Sequence, residues 1–193
     1  MSRKYTEVTF TPSVRKAQEH YGSREVAAKV EAWDVTDDRL SEREASFIAE
    51  RDSFYMASVN QDGWPYVQYR GGPKGFLKVL DETTLAYADF RGNRQYISTG
   101  NLRADDRTAL FFMDYPRRQR LKLMARAEIV DAADRPDLVE EVADPSYRAR
   151  VERVVVFHVV AFDWNCPQHI TPRFTIEELV AFEEGGGDPR QGA

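Results

Sequence analysis

An antiparallel β-barrel of six to seven strands, with helices flanking it, is the fold class that this 193-residue sequence predicts. Three observations carry the prediction. From residue 53 onward, short runs of strand-forming residues recur about every ten positions, and Gly, Asn, Asp or Pro separates them. The texture changes at Asp52, from helix-spaced apolar residues to alternating ones. Two runs, Ala109–Phe112 and Val154–Phe162, are apolar at nearly every position, as in strands covered on both faces.

The elements follow in order. Ser13–His20 and Ser23–Ala32 read as helices separated by Gly22, a helix stop. Ser41-Glu42-Arg43-Glu44 has the form of a capping box and opens a helix that turns Ala45, Phe47, Ile48 and Ala49 inward. Phe54–Val59 and Trp64–Arg70 are strands joined at Asn60-Gln61-Asp62-Gly63, a hairpin signal. Gly71-Gly72-Pro73-Lys74-Gly75 interrupts the chain before strands at Phe76–Leu80 and Thr84–Phe90. Asn93 is expected to cap a helix from Arg94 to about Leu102. Thr108–Met113 and Gln119–Val130 are strands, the second alternating Leu121, Leu123, Ala125, Ala127 and Ile129 against charged neighbours. Residues 134 to 150 read as a helix with Asp134 as cap and Pro136 in its first turn. Val154–Phe162 is the last strand and Thr175–Phe182 a terminal helix. The division is a helical arm at 1–40, a barrel domain at 41–183 and a disordered tail at 184–193.

Composition narrows the function. Apolar residues make up 42% of the chain and charged residues 31%, the balance of a soluble globular protein. No apolar run approaches the ~18 residues of a membrane span, and the polar start has no secretory core. The single cysteine, Cys166, fits a reducing cytoplasm. A net charge of −5 argues against a nucleic-acid partner. Yet Arg70–Arg126 holds twelve basic and six acidic side chains, a basic centre in an acidic chain, which points to a local anionic ligand.

Common catalytic signatures are absent: no dinucleotide fingerprint, no Lys-Ser/Thr phosphate loop, no zinc-helix histidine pair and no nucleophile elbow. Of three histidines, His20 reads as surface and His158, amid Val156, Phe157, Val159 and Val160, as a hydrogen-bonded core residue. Cys166 and His169 lie three apart, but no further Cys or His completes a metal site, so no metal is expected. What remains is the glycine corner at 71–75 and the run Tyr87-Ala88-Asp89-Phe90-Arg91-Gly92-Asn93-Arg94-Gln95. Arginine forks, turn amides and a helix start together satisfy a phosphate. The same arginines are also able to pair with Asp89, Asp105 and Asp106, and the residue pattern leaves both readings open.

The stretch from Trp64 through Gln68-Tyr69-Arg70-Gly71-Gly72-Pro73-Lys74-Gly75-Phe76, with Tyr87 to Arg94, resembles the pyridoxamine 5′-phosphate oxidase family of flavin-binding split barrels. The likeness is to its flavin-nucleotide-binding branch. Arg118-Gln119 before a strand ending Arg126-Ala127-Glu128, and the Asp163-Trp164-Asn165-Cys166-Pro167-Gln168-His169 segment, extend the resemblance over residues 45 to 173. The resemblance implies an open, split form of the barrel and FMN at a homodimer interface. It implies that Gln68 to Gly72 lie along the flavin, and that Tyr87 and Ala88 contact the cofactor. By the same resemblance Asn93, Arg94 and Gln95 surround its phosphate, Arg118 and Gln119 approach the ring, and Trp164 and Arg173 complete the site. Ala88 and Gln95 stand where the family has threonine and lysine, so Arg70, Lys74 or Arg91 is expected to compensate. The oxidases' substrate-binding Tyr, Arg and Ser have no clean match, with only Tyr147 and Arg150 at suitable spacing. The implied activity is flavin-mediated hydride or electron transfer on a small molecule, with catalytic side chains unassigned. The alternatives are a flavin carrier or sensor without turnover, and a deazaflavin reductase on the same fold.

Overall fold

The computed structural model describes residues 2–35 and 38–185. Three helices come first: α1 (Arg3–Thr9), α2 (Pro12–His20) and α3 (Arg24–Glu31). The Oγ of Ser2 accepts from the Tyr5 amide and that of Thr11 from the Val14 amide, satisfying N–H groups that a helix start leaves unpaired. Gly22 between α2 and α3 has φ +72°, the left-handed stop expected there. The body comprises α4 (Glu42–Ala49), β1 (Ser53–Val59), β2 (Pro65–Gly71), β3 (Lys78–Asp81), β4 (Thr84–Phe90), α5 (Ile97–Ala104), β5 (Arg107–Asp114), β6 (Gln119–Asp131), α6 (Pro136–Val142) and β7 (Val151–Trp164). A last helix, α7, spans Ile176–Gly185. It carries the chain through 185, and the remainder of the predicted tail lies outside the described residues.

The seven strands form one antiparallel sheet in the order β2-β1-β5-β6-β7-β4-β3. The sheet is not closed. Its edges, β2 and β3, are consecutive in the chain yet unpaired, so the barrel is split along a seam. Phe54, Met56, Leu85, Leu110, Phe112, Leu121, Leu123 and Phe157 fill the interior, each almost completely buried. A second cluster, Ala86, Ala88, Val154 and Val156 with Leu138 and Val142, packs β4 and β7 beneath α6. The doubly apolar character of β7 is therefore used largely within the chain. On β5, by contrast, Phe111 and Met113 face outward and stay half-buried.

Several expectations require correction. Asn93 does not cap a helix: its Oδ1 accepts from the Gln95 amide (3.1 Å) in an Asx turn, and α5 begins only at Ile97. Two non-glycine residues in the left-handed region, Arg94 (φ +63°) and Tyr96 (φ +53°), delay the helix. The predicted helix at 134–150 stops at Val142, with Arg135 as N-cap, because the residue before Pro145 disfavours helical geometry. The third strand starts at Lys78, leaving Phe76 and Leu77 buried ahead of it. His158 is no core residue: its side chain is 54% exposed and meets Glu128 across the strand pair at 3.5 Å.

Candidate functional site

The open seam and the chain that follows β4 create a groove. Along β2 the side chains of Tyr66, Gln68 and Arg70 point toward the seam, while Val67 and Tyr69 point to the outer face. Opposite them β4 ends in Asp89 and Phe90, and the loop 92–96 leads into α5. The cavity between holds about 90 Å³ and is also lined by Asn93, Arg94, Gln95, Tyr96, Ser98 and Thr99. No side chain caps α5, so its first amides lack an intrahelical or side-chain acceptor, and Ile97, Ser98 and Thr99 line the groove. Alternation into the left-handed region, as at Arg94 and Tyr96, turns successive backbone N–H groups toward one concave side, an arrangement that binds anions.

Charge follows the same logic. Three guanidiniums, those of Arg70, Arg94 and Arg153, line the groove with a single carboxylate, Asp89. Arg153 binds Asp89 Oδ2 through Nε (3.0 Å) and Nη2 (2.8 Å), and both side chains are about nine-tenths buried. Burial opposes the charge on Arg153, but Asp89 and then Glu152 more than restore it. Arg70 reaches Asp89 Oδ1 at 3.3 Å. Because β2 and β4 share no backbone pairing, this bond crosses the seam. Glu152 receives Arg153 Nη1 (3.0 Å), Arg91 Nε (3.4 Å) and the Tyr96 hydroxyl (3.3 Å), fixing the loop from behind. The Tyr96 hydroxyl also favours the charged form of Arg94.

A second cleft of about 160 Å³ adjoins the first and shares Arg70, Asp89 and Phe90 with it. Tyr69, Gly71, Phe76, Tyr87 and Ala88 complete its walls. Tyr87 is a core residue, stacked on Phe157 (5.9 Å between centroids) and set edge-on to Phe54 and Phe76. Its ring is thus committed to the interior and offers a ligand only its hydroxyl.

The structure brings Gln68, Tyr69, Arg70, Gly71, Tyr87, Ala88, Asn93, Arg94 and Gln95 to these two connected clefts. Gly72 is beside them but serves the backbone: a Cβ there would meet the Phe76 ring at 2.8 Å. Lys74 is exposed on the following turn and lines neither cleft. Arg118, Gln119, Trp164 and Arg173 lie apart, around the β5–β6 turn. Arg118 has φ +51° in that turn, Gln119 pairs with Asp114, and Arg173 lies over Tyr115 at 5.0 Å. Trp164 donates its Nε1–H to Glu44 Oε1 (2.7 Å), with Phe47 edge-on and Arg43 over its ring. Of the two readings left open for the arginines, pairing holds for three of them: Arg70 with Asp89, Arg107 with Asp105 and Arg126 with Asp106. Reading the sequence missed Arg153, Tyr96, Ser98 and Thr99. The signal for Arg153 was present: the charged couple Glu152-Arg153 precedes the apolar run Val154–Phe157 on one strand.

The sequence profile of the family described as pyridoxamine 5′-phosphate oxidase matches residues 40–163. A crystal structure from Lactobacillus delbrueckii, provisionally named a pyridoxamine 5′-phosphate oxidase, is similar at a TM-score of 0.51 and 20% identity. That match covers 65% of this chain and 94% of the other. HupZ of Group A Streptococcus is similar at a TM-score of 0.50 and 16% identity, over 70% of this chain and 99% of HupZ. At these identities the likeness is one of fold. Among curated proteins none matches this chain.

Proposed function

Because the chain belongs to the pyridoxamine 5′-phosphate oxidase family, we propose that it binds FMN at the seam and acts as a flavin-dependent oxidoreductase on a small molecule. The observation that carries this reading is the groove between β2 and the 92–99 segment. Its lining has a surplus of two positive charges, and uncapped helix amides sit beside the Ser98 and Thr99 hydroxyls. That donor set fits a phosphate ester dianion. The Arg94 guanidinium, the Arg94 and Tyr96 amides and the start of α5 hold the phosphate, and Gln68 on β2 orients the remainder of the cofactor. FMN, when bound, supplies the hydride or electron transfer, so no side chain of this chain need act as nucleophile.

In this reading a second copy completes the site. Its roughly 90 Å³ is well below the ~300–1,000 Å³ that encloses a ligand of cofactor size, so one chain holds only one end of FMN. Tyr55, Val67, Phe111 and Met124 form an apolar hollow on the outer face of the sheet. In a homodimer that face is covered, and Arg118, Gln119 and Arg173 of one chain approach the groove of the other.

The test is the visible spectrum of the purified protein, followed by titration with FMN and with riboflavin. FMN binds more tightly than riboflavin, and Arg94→Ala weakens FMN about tenfold or more while leaving riboflavin unchanged. A colourless protein that leaves FMN fluorescence unaltered ends the proposal. Anaerobic reduction by NADH or NADPH faster than that of free flavin separates an enzyme from a carrier.

A further inference from the structure

Two donors in the second cleft have no acceptor. Tyr87 is 3% exposed, and its hydroxyl is buried without a hydrogen-bond partner among the described residues. Arg70 Nε is buried and unpartnered in the same way, and its guanidinium carbon lies 6.0 Å from the Tyr87 ring centroid. Both residues line the ~160 Å³ cleft. An unmatched buried donor is costly, and these two, one charged and one neutral, border one cavity.

We propose that this cleft is a second anion site, in which Arg70 and Tyr87 together bind a carboxylate or phosphoryl oxygen of the molecule that reacts beside the flavin. Arg70 supplies charge and the Nε–H, and Tyr87 supplies the O–H. Burial keeps the Tyr87 hydroxyl protonated, so it remains a donor at any physiological pH. Asp89 makes the arrangement reversible. Its bond to Arg70 is single and long, whereas Arg153 holds it through two N–H groups. When an incoming anion draws Arg70 off, Asp89 keeps a charged partner and no buried carboxylate is stranded. The position next to the groove makes such an anion a neighbour of the cofactor phosphate, not the same group. The proposal rests on the flavin reading only for the identity of that neighbour.

The experiment measures acetate, inorganic phosphate, FMN and riboflavin binding to the full chain by calorimetry, with Tyr87→Phe, Arg70→Gln and Arg94→Ala. Tyr87→Phe keeps the ring in the core and Arg70 is partly exposed, so both variants fold. Acetate and phosphate bind the parent in the millimolar range. Arg70→Gln lowers that affinity about tenfold and Tyr87→Phe about fivefold, while Arg94→Ala leaves acetate untouched. FMN affinity shows the reverse order, falling in Arg94→Ala and changing less than twofold in Tyr87→Phe. Acetate binding equal in Tyr87→Phe and parent overturns the proposal and makes the hydroxyl a water ligand. So does a parent that binds neither small anion, or an Arg94→Ala chain that loses both. If FMN and riboflavin fail to bind while acetate discriminates the variants, the flavin reading falls and the second site stands.

Discussion

Tyr87 and Arg153 are buried polar groups with opposite consequences. The Tyr87 hydroxyl lies in an aromatic cage with no hydrogen-bond partner among the described residues, a desolvation loss of about 1–3 kcal/mol. Tyr87→Phe in the ligand-free protein therefore raises the melting temperature, by ~2–4 °C per kcal/mol recovered for a chain of this size. Thermal unfolding checks this, and a lowered temperature shows instead that the hydroxyl is satisfied. Arg153 is bound by both Asp89 and Glu152, and its loss leaves Asp89 only the single long bond from Arg70. Arg153→Met costs about 3 kcal/mol or more in denaturant unfolding, the usual penalty for breaking a buried pair. The exposed Arg126–Asp106 pair is the control, and Arg126→Met costs under ~1 kcal/mol.

At the scale of elements, α4 shows how a local signal acquires a distant function. Ser41 and Glu44 form the capping box, the Glu44 carboxylate taking the Ser41 amide at 3.1 Å. Its other oxygen receives the Trp164 indole N–H from the end of β7. Burial alone pushes Glu44 toward protonation, but the hydrogen bonds from Ser41 and Trp164 outweigh it and the pKa falls below the ordinary glutamate value. A depressed carboxylate pKa contributes stability that is complete above the unfolded-state value, ~4.3, and is lost as pH falls through the folded one. Glu44→Gln therefore lowers stability at neutral pH and flattens the stability curve below about pH 4. Chemical unfolding from pH 3 to 7 reads both effects. The capping box was legible because it spans four residues. The Trp164 contact was not, since 120 residues separate the partners. Asn93 failed for the same reason in reverse: the local pattern matched a cap, but contacts from Tyr96 to Glu152 on β7 hold the loop in a left-handed path that no local rule contains. Likewise the helix expected over 134–150 ran through Pro145, although a proline disfavours helical geometry in the residue before it.

At the scale of the whole molecule, alternation and turn chemistry were enough to read the strands, but not which two form the edges. That depends on how the sheet coils, and the seam between β2 and β3, where the candidate site lies, became visible only in the fold. The edges raise the last question, what covers the outer face. Trp64 just before β2, and Val67 and Tyr69 on it, are 73%, 61% and 56% exposed, and Tyr55 and Phe111 continue the apolar surface onto β1 and β5. An edge strand so apolar is a liability in a lone chain and a natural contact in a symmetric pair. The basic β5–β6 turn, with Arg118 and Arg173, stands at the end of this face and remote from its own groove. In the proposed twofold pair it reaches the partner's groove. Phe111→Glu sets a charge in the middle of that contact without touching either cleft. In light scattering at micromolar concentration the parent has twice the chain mass of 22.2 kDa and the variant has once that mass. The variant also loses FMN affinity by tenfold or more, because half of its site has gone with the partner. A monomeric Phe111→Glu chain that binds FMN as the parent does would instead show that each groove is complete within its own chain, and that the outer face serves assembly alone.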